Sequence, residues 1–353
     1  MSVMCGKKLK ISIFGQSHSD AIGVIIDGLP AGIKIDREFL ESFMARRAPG
    51  QAFSTPRKEP DKVEFTSGLN ENGETCGSAI CAIIKNVNVK SGDYENLRIR
   101  PRPSHSDLTS YYKYGESRDV RGGGPFSGRL TAPICIAGAI ALSLLKQKDI
   151  NIGAHLLKIG DIVDERYSFV DENINNNLQD FPVINESIAN LMKEKIIEVS
   201  KEADSIGGEI ECKITGMPTA VGGPLFDGIE NNLAKMMFAI PGVKGFEIGA
   251  GFSVSDRMGS QNNDLLTVKD GKIRTITNND GGINGGISNG MPIVFKVALK
   301  PTPSIGKPQQ TVNLETLKEE VVEIKGRHDP CIAVRAVPVV EACTAIAILD
   351  MII

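Results

Sequence analysis

Residues 10–50 read KISIFGQSHSDAIGVIIDGLPAGIKIDREFLESFMARRAPG, and they hold the pattern on which the rest of the chain is built. A first strand from Lys10 runs into the polar break Phe14–Asp20, a second strand covers Ile22–Ile26, and Asp27-Gly28-Leu29-Pro30 makes a turn. A helix follows from Asp36, a natural N-cap, to Arg47, and stops at Pro49-Gly50. The same order returns later. Strand Glu209–Ile214 leads to Thr215-Gly216-Met217-Pro218, and a helix over Ile229–Ile240 stops at Pro241-Gly242. Gly73 and Gly77 lead into the β-branched run Ile80–Val87 as the glycines before Ile293–Leu299 do. Arg129 and Pro133 open an apolar helix, and so do Arg335 and Pro338. The order of elements matches at five points, which reads as an internal duplication.

Two strands before each terminal helix do not give a βαβ alternation. The fold class expected is therefore α+β, with antiparallel sheets flanking a helical layer in two pseudo-twofold halves. The chain reads as a single unit over residues 1–353. Its repeats span about 1–147 and about 205–353, joined by a polar, irregular insertion and a helix within 148–204, where Ile188, Met192, Ile196 and Val199 follow helical spacing. The alanines and glycine of the apolar run after Pro133 suggest a helix packed closely on several faces. GGINGGISNG at 281–290 has neither the preceding strand nor the following helix of a dinucleotide fingerprint.

Composition narrows the function. The net charge is −3, so no global basic field exists for nucleic acid, and tryptophan is absent. The first residues lack an apolar signal core, and apolar runs such as Ile134–Leu145 fall short of a bilayer's thickness, so a cytoplasmic location without membrane contact is expected. Seven cysteines form no CxxC pair and sit mostly in apolar runs, so neither disulfides nor a metal site is expected.

The cations that matter must be local. Residues 100–129, RPRPSHSDLTSYYKYGESRDVRGGGPFSGR, combine Arg100, Arg102, Arg118, Arg121 and Arg129 with His105 and a glycine triplet, Gly122 to Gly124. This reads as a long functional loop. Glycines let backbone N–H groups approach a ligand, and arginine forks match phosphate and carboxylate oxygens, so the composition suits an anionic small molecule. His18 and His105 lie in polar loops and are acid–base candidates near neutral pH. His155 lies in an apolar context and reads as structural. Lys300-Pro301-Thr302-Pro303-Ser304 offers a cation and two hydroxyls on a stiff turn.

Together these motifs resemble the chorismate synthase family nearly end to end. The carriers are FGQSHSDAIG (14–23), RRAPGQ (46–51), RPSHSD (102–107), KYGESRDVRGGG (113–124), PGVKGFEIGAGF (241–252), NNDGGINGGISNG (278–290), KPTPSI (300–305) and GRHDPC (326–331). The resemblance implies a β-α-β sandwich built by duplication, a homotetramer, and a lyase of the shikimate pathway. That lyase removes phosphate from 5-enolpyruvylshikimate 3-phosphate by 1,4-anti elimination, giving chorismate with reduced FMN bound and no net redox change. It implies His18, His105 and Asp329 as catalytic groups: His105 against the flavin pyrimidine, His18 assisting the departing phosphate, and Asp329 near flavin N5. It implies Arg46, Arg47, Arg102, Arg129 and Arg327 as substrate contacts. Flavin contacts fall on Ser127, Pro241, Gly242, Gly285, Lys300, Pro301, Thr302, Pro303, Ser304 and Arg327. NADPH is allowed as the flavin's reductant, with Arg47 at the NADP position. The chain departs from the family where Gln16 and Ser19 flank His18, at Ala48, and at Pro125-Phe126-Ser127-Gly128-Arg129, where Arg-Ser-Ser-Ala-Arg is usual. A flavin oxidoreductase and a noncatalytic binder of phosphorylated metabolites are the other readings; the first would consume reductant, and the second would have no need of His18, His105 and Asp329.

Overall fold

The computed structural model describes residues 4–48, 61–86, 96–174, 181–324 and 329–353. In chain order the strands are β1 (Met4–Cys5), β2 (Lys10–Gly15), β3 (Ala21–Asp27), β4 (Glu64–Ser67), β5 (Ile80–Lys85), β6 (Asn151–Ile159), β7 (Ile162–Val163), β8 (Gly208–Thr215) and β9 (Val243–Ile248). The hairpins β10–β11 (Leu266–Lys269, Lys272–Thr275) and β12–β13 (Ile283–Asn284, Ile287–Ser288) precede β14 (Ile293–Leu299), and β15–β16 (Gln309–Val312, Glu319–Val322) follows it. The helices are α1 (Arg37–Arg47), α2 (Asp107–Tyr114), α3 (Thr131–Lys146), α4 (Glu186–Lys201), α5 (Ile229–Phe238), α6 (Gly259–Asn262) and α7 (Ala333–Ile352).

Two five-stranded antiparallel sheets have spatial orders β1-β2-β3-β5-β4 and β7-β6-β8-β14-β9. Four strands correspond in order, β2-β3-β5-β4 with β6-β8-β14-β9, while the edge strands differ, β1 preceding β2 and β7 following β6; α1 matches α5 and α3 matches α7. The fold is α+β, and the helices α1, α3, α5 and α7 fill the space between the sheets, α3 against β3 and β5, and α7 against β6 and β8. Period-two patterning explains which faces turn inward. Ile22, Val24 and Ile26 of β3 are fully buried while Ile25 is exposed, and on β8 Ile210, Cys212 and Ile214 face α7, with Cys212 Sγ 3.7 Å from Thr344 Oγ1.

The local chemistry of α1 is as its sequence predicts. Asp36 caps it by accepting from the Phe39 N–H at 2.9 Å, and Arg46 and Arg47 close its last turn, where cations complement the helix dipole. In α3, Pro133 stands in the first turn, which needs no N–H there.

Three sequence expectations are corrected. Residues 151–159, read as irregular, form β6, so the second sheet starts at about residue 151 rather than about 205. The outward positions of β6 include His155, which joins a buried polar cluster and so broke the apolar pattern of a core strand. The 100–129 stretch is not all loop, since it contains α2 and several 3-10 turns. Finally, the helical run Gly128–Lys146 is long and apolar enough to cross a membrane, but 67% of it is buried inside the fold, so it is a core helix.

Candidate active site

Both candidate histidines meet the glycine triplet. Gly122, Gly123 and Gly124 all have positive φ (58°, 89° and 52°), a conformation that side chains disfavour, and the bare backbone of Gly122 and Gly124 packs where a Cβ would not fit. A Cβ on Gly122 would lie 2.5 Å from His18 Cε1; one on Gly123 would lie 3.3 Å from His105 Cε1 and Nε2. The Ser17 N–H donates to Gly124 O at 3.2 Å, binding the β2–β3 turn to this loop. Two residues 87 positions apart in the chain thus rest on neighbouring glycines.

Each imidazole has a carboxylate nearby. Asp119 holds Arg121 bidentately, with both contacts at 2.9 Å. Those bonds outweigh burial and hold its carboxyl below the usual range, with a smaller pull from the charge of His18. Asp107 receives Arg102 Nε at 2.7 Å and lies 2.7 Å from His105 Nδ1. Burial would raise the Asp107 pKa, but the bonds from Arg102 and His105 win and depress it strongly.

The arginines form a ladder. Arg47 and Arg129 share Asp61, whose side chain is 1% exposed: Arg47 Nη1 donates at 2.9 Å to Oδ2, and Arg129 Nη1 to Oδ1. Arg47 also donates from Nε to Thr131 Oγ1 and from Nη2 to Gly128 O, both at 3.1 Å, so each of its three side-chain nitrogens donates inside the protein. Burial, followed by the nearby Arg335, pulls its pKa down to about 10. Arg335 donates to Arg47 O at 3.1 Å and to Asp329 Oδ2 at 3.0 Å. Asp329 keeps a buried Oδ1 with no hydrogen-bond partner among the described residues, and burial raises its pKa against the opposing pull of Arg335.

The 300–304 turn packs on the His105 segment. Lys300 Nζ donates to Ser104 O, and Arg102 Nη1 donates to Ser304 Oγ at 3.1 Å. The Lys300 N–H donates to Gly242 O at 2.9 Å, which places Pro241-Gly242 beside the turn. Burial and then Lys244 lower the Lys300 pKa. Thr302 Oγ1 is buried without a hydrogen-bond partner among the described residues. Ser127 accepts from the Arg129 N–H at 3.3 Å and sits close to Gly123.

Of the residues expected in the site, the structure brings together His18, His105, Arg102, Ser127, Arg129, Pro241, Gly242 and the 300–304 turn in this chain of contacts, and links Asp329 to it through Arg335 and Arg47. Arg47 serves as an internal strut, 3% exposed and donating to Thr131, Asp61 and Gly128. Arg46 points elsewhere too, forming a two-bond pair with Glu341 of α7 at 2.6 and 3.0 Å. Gly285 lies in the exposed turn between β12 and β13, whose neighbour Gly286 accepts from the Ile229 N–H at the start of α5 at 3.0 Å. Arg327 lies outside the described residues. Sequence reasoning missed Asp61, Asp107, Asp119 and Arg335; carboxylates within a few residues of the arginines and His105 were the available signal.

A site of paired histidines, unmatched buried oxygens and arginines clamped by carboxylates belongs to an enzyme that handles protons on an anionic small molecule. Comparison with known proteins makes this specific. Residues 9–353 match the family described as Chorismate synthase. Chorismate synthases of Lancefieldella parvula, Methanocaldococcus jannaschii and Methanosarcina barkeri are 41%, 44% and 45% identical to this chain. These alignments cover 99%, 99% and 98% of it and 96%, 95% and 94% of the relatives. A crystal structure of chorismate synthase aligns with a TM-score of 0.75 at 26% identity, covering 98% of this chain and 92% of that one. The chain belongs to the chorismate synthase family, and it is a lyase of the shikimate pathway.

Proposed function

We propose that this enzyme eliminates phosphate from 5-enolpyruvylshikimate 3-phosphate to form chorismate, in the cytoplasm, with reduced FMN bound and recovered unchanged. The observation that carries the reading is the meeting of His18 and His105 on adjacent glycines. An elimination that loses a phosphate at one ring carbon and a hydrogen at another needs proton handling at two points, and a noncatalytic binder needs neither.

The residues fit a flavin phosphate and ring. Lys300 and Ser304 supply a cation and a hydroxyl, Thr302 supplies a buried hydroxyl without a partner among the described residues, and Ser127 and Gly242 complete the edge. A bound reduced flavin would supply electron density that assists loss of phosphate, with no net oxidation. Arg102 and Arg129 would bind the anionic groups, while Arg47, held through Asp61 to Arg129, keeps that cation in place. Asp329 Oδ1, buried without a hydrogen-bond partner among the described residues, is one polar atom that would meet the bound molecules.

Anaerobic turnover with pre-reduced FMN tests this. Chorismate and phosphate should form in equal amounts without loss of reductant. Stoichiometric flavin oxidation, or no chorismate, would overturn the reading. Assembly as a homotetramer is part of the proposal, supported by the hairpin β10–β11, whose Leu266, Val268 and Ile273 are 74%, 73% and 72% exposed. A monomeric mass by light scattering at micromolar concentration would refute it.

A further inference from the structure

Asp107 is the most heavily used carboxylate beside the candidate histidines. Its Oδ2 accepts from Arg102 Nε at 2.7 Å and from the Arg102 N–H at 3.0 Å, and its Oδ1 accepts from Arg102 Nη2 at 2.9 Å. The same Oδ1 stands 2.7 Å from His105 Nδ1. Arg102 Nη2 lies 3.1 Å from that nitrogen, and Ser106 Oγ lies 3.4 Å away.

Two neighbours therefore make opposite demands on Nδ1. A guanidinium only donates and would ask the nitrogen for its lone pair, whereas a carboxylate only accepts and would ask for a hydrogen. The carboxylate is the nearer, at 2.7 Å against 3.1 Å for Arg102 Nη2. A short contact to an ionised acceptor is the stronger bond, so Nδ1 carries the hydrogen. The other ring nitrogen, Nε2, then faces Gly123, where a Cβ would lie only 3.3 Å away. A neutral imidazole with Nδ1 protonated presents Nε2 as a lone pair, and the cation presents it as a donor.

We propose that Asp107 is a positioning residue for His105, holding its ring as the Nδ1–H tautomer and so presenting Nε2, on the glycine-loop side, as the atom that exchanges a proton in catalysis. The catalytic clause rests on the elimination read above; the tautomer does not. Because Arg102 spans both Asp107 and Ser304, the setting of His105 is also tied to the 300–304 turn. The charged and titratable groups facing His105 among the described residues are Asp107 and Arg102 on its own segment, Lys300 on the Ser104 carbonyl, and His18 across the glycine loop. All but Asp107 are cationic when protonated and disfavour the imidazolium; Asp107 opposes them.

The test uses the full chain labelled with 15N-histidine, since its four histidines can be assigned by single substitutions. Neutral His105 should show Nδ1 protonated. In Asp107→Asn the tautomer should revert to Nε2–H, because the amide no longer offers Nδ1 a charged acceptor. The kcat should fall while KM changes little, and Asp107→Glu should recover part of both the tautomer and the rate. A wild-type Nε2–H tautomer overturns the proposal without recourse to any variant. So does an Asp107→Asn protein whose tautomer is unchanged, or one whose tautomer changes while kcat stays at the wild-type value. Wild-type protein with the Nδ1–H tautomer that forms no chorismate would defeat the functional reading and leave the tautomer control by Asp107 standing.

Discussion

Gly138 of α3 lies against Ala342 of α7 so closely that a Cβ built on the glycine would stand 2.2 Å from the alanine Cβ and 2.4 Å from its Cα. This contact joins the last helices of the two halves, and it is made with backbone rather than with a side chain that can swing away. The two helices can approach this closely because one of them has no side chain at the crossing.

The expected consequence is a reversed sign. In an exposed helix, Gly→Ala raises stability by about 1 kcal/mol through propensity. Gly138→Ala should instead lower it, by about 1–3 kcal/mol, because the added methyl must push two packed helices apart. Urea unfolding of the variant beside wild type decides this, and a raised midpoint would refute the close-packing account.

How far the sequence foretold this arrangement depends on where each signal lies. The small residues of α3 announced close packing because the steric rule acts on the helix itself, and Asp36 announced a cap that forms as expected. The duplicated turns gave away the two halves. β6 escaped because its outward His155 answers to Asp164 and Glu211, partners that the strand's own periodicity cannot reveal. In the site, His18 and His105 stood out by type and setting, but their meeting depends on Gly122 and Gly123, a tertiary fact. Arg46 and Arg47 are neighbours in sequence and go to different carboxylates, Glu341 and Asp61, one 295 residues and the other 14 away. A motif containing both arginines cannot say which one is structural.

Arg46 provides a direct test of that division. Its partner Glu341 is 4% exposed at the side chain and otherwise accepts from the Ala154 N–H at 3.1 Å. Removing one member of such a buried pair strands the other, typically at a cost of about 3–5 kcal/mol. Arg46→Ala should therefore melt much earlier than wild type while its KM changes little in protein that remains folded. Pairing Arg46→Met with Glu341→Leu should restore most of the stability. An unaltered melt combined with a large rise in KM would show that Arg46 meets substrate after all.

His155 should make stability depend on pH. Burial alone would lower its pKa, but hydrogen bonds and charge from Asp164 and Glu211 outweigh burial and raise it. The two carboxyls are lowered in turn, against their own burial. A raised histidine contributes stability that is complete below about pH 6.5 and is lost as pH climbs through the folded value; lowered carboxyls contribute above about pH 4 and lose it on acidification. The cluster thus stabilises most between these limits. The unfolding free-energy gap between wild type and His155→Gln should be widest near pH 5.5–6 and narrow above pH 7. A gap that stays constant from pH 5 to 9 would refute the ionic account.

The glycine loop allows the proposed chemistry to be perturbed without touching either histidine. Gly122→Ala must place a methyl at φ 58° and 2.5 Å from the His18 ring, whereas Gly123→Ala places one at φ 89° and 3.3 Å from His105. The backbone cost of a left-handed residue is about 1–2 kcal/mol for each, so both proteins should fold with somewhat lower melting temperatures. Their effects on rate should differ. The first contact cannot be accommodated without moving the His18 ring, while the second needs only a small shift of His105. If His18 and His105 each exchange a proton in the elimination, His18→Ala and His105→Ala should each slow chorismate formation by roughly 100- to 10,000-fold, the span usual for a positioned acid or base. The double variant should lose less than the product of the two, since groups that act on one coupled step do not sum. Gly122→Ala should fall within the range of His18→Ala, and Gly123→Ala should lose less than His105→Ala. Rates at saturating substrate with excess reduced FMN, measured beside thermal melts, separate displacement of a catalytic ring from loss of fold. A Gly122→Ala protein that melts below wild type yet turns over at the wild-type rate would show that the position of His18 against this loop does not matter to the reaction.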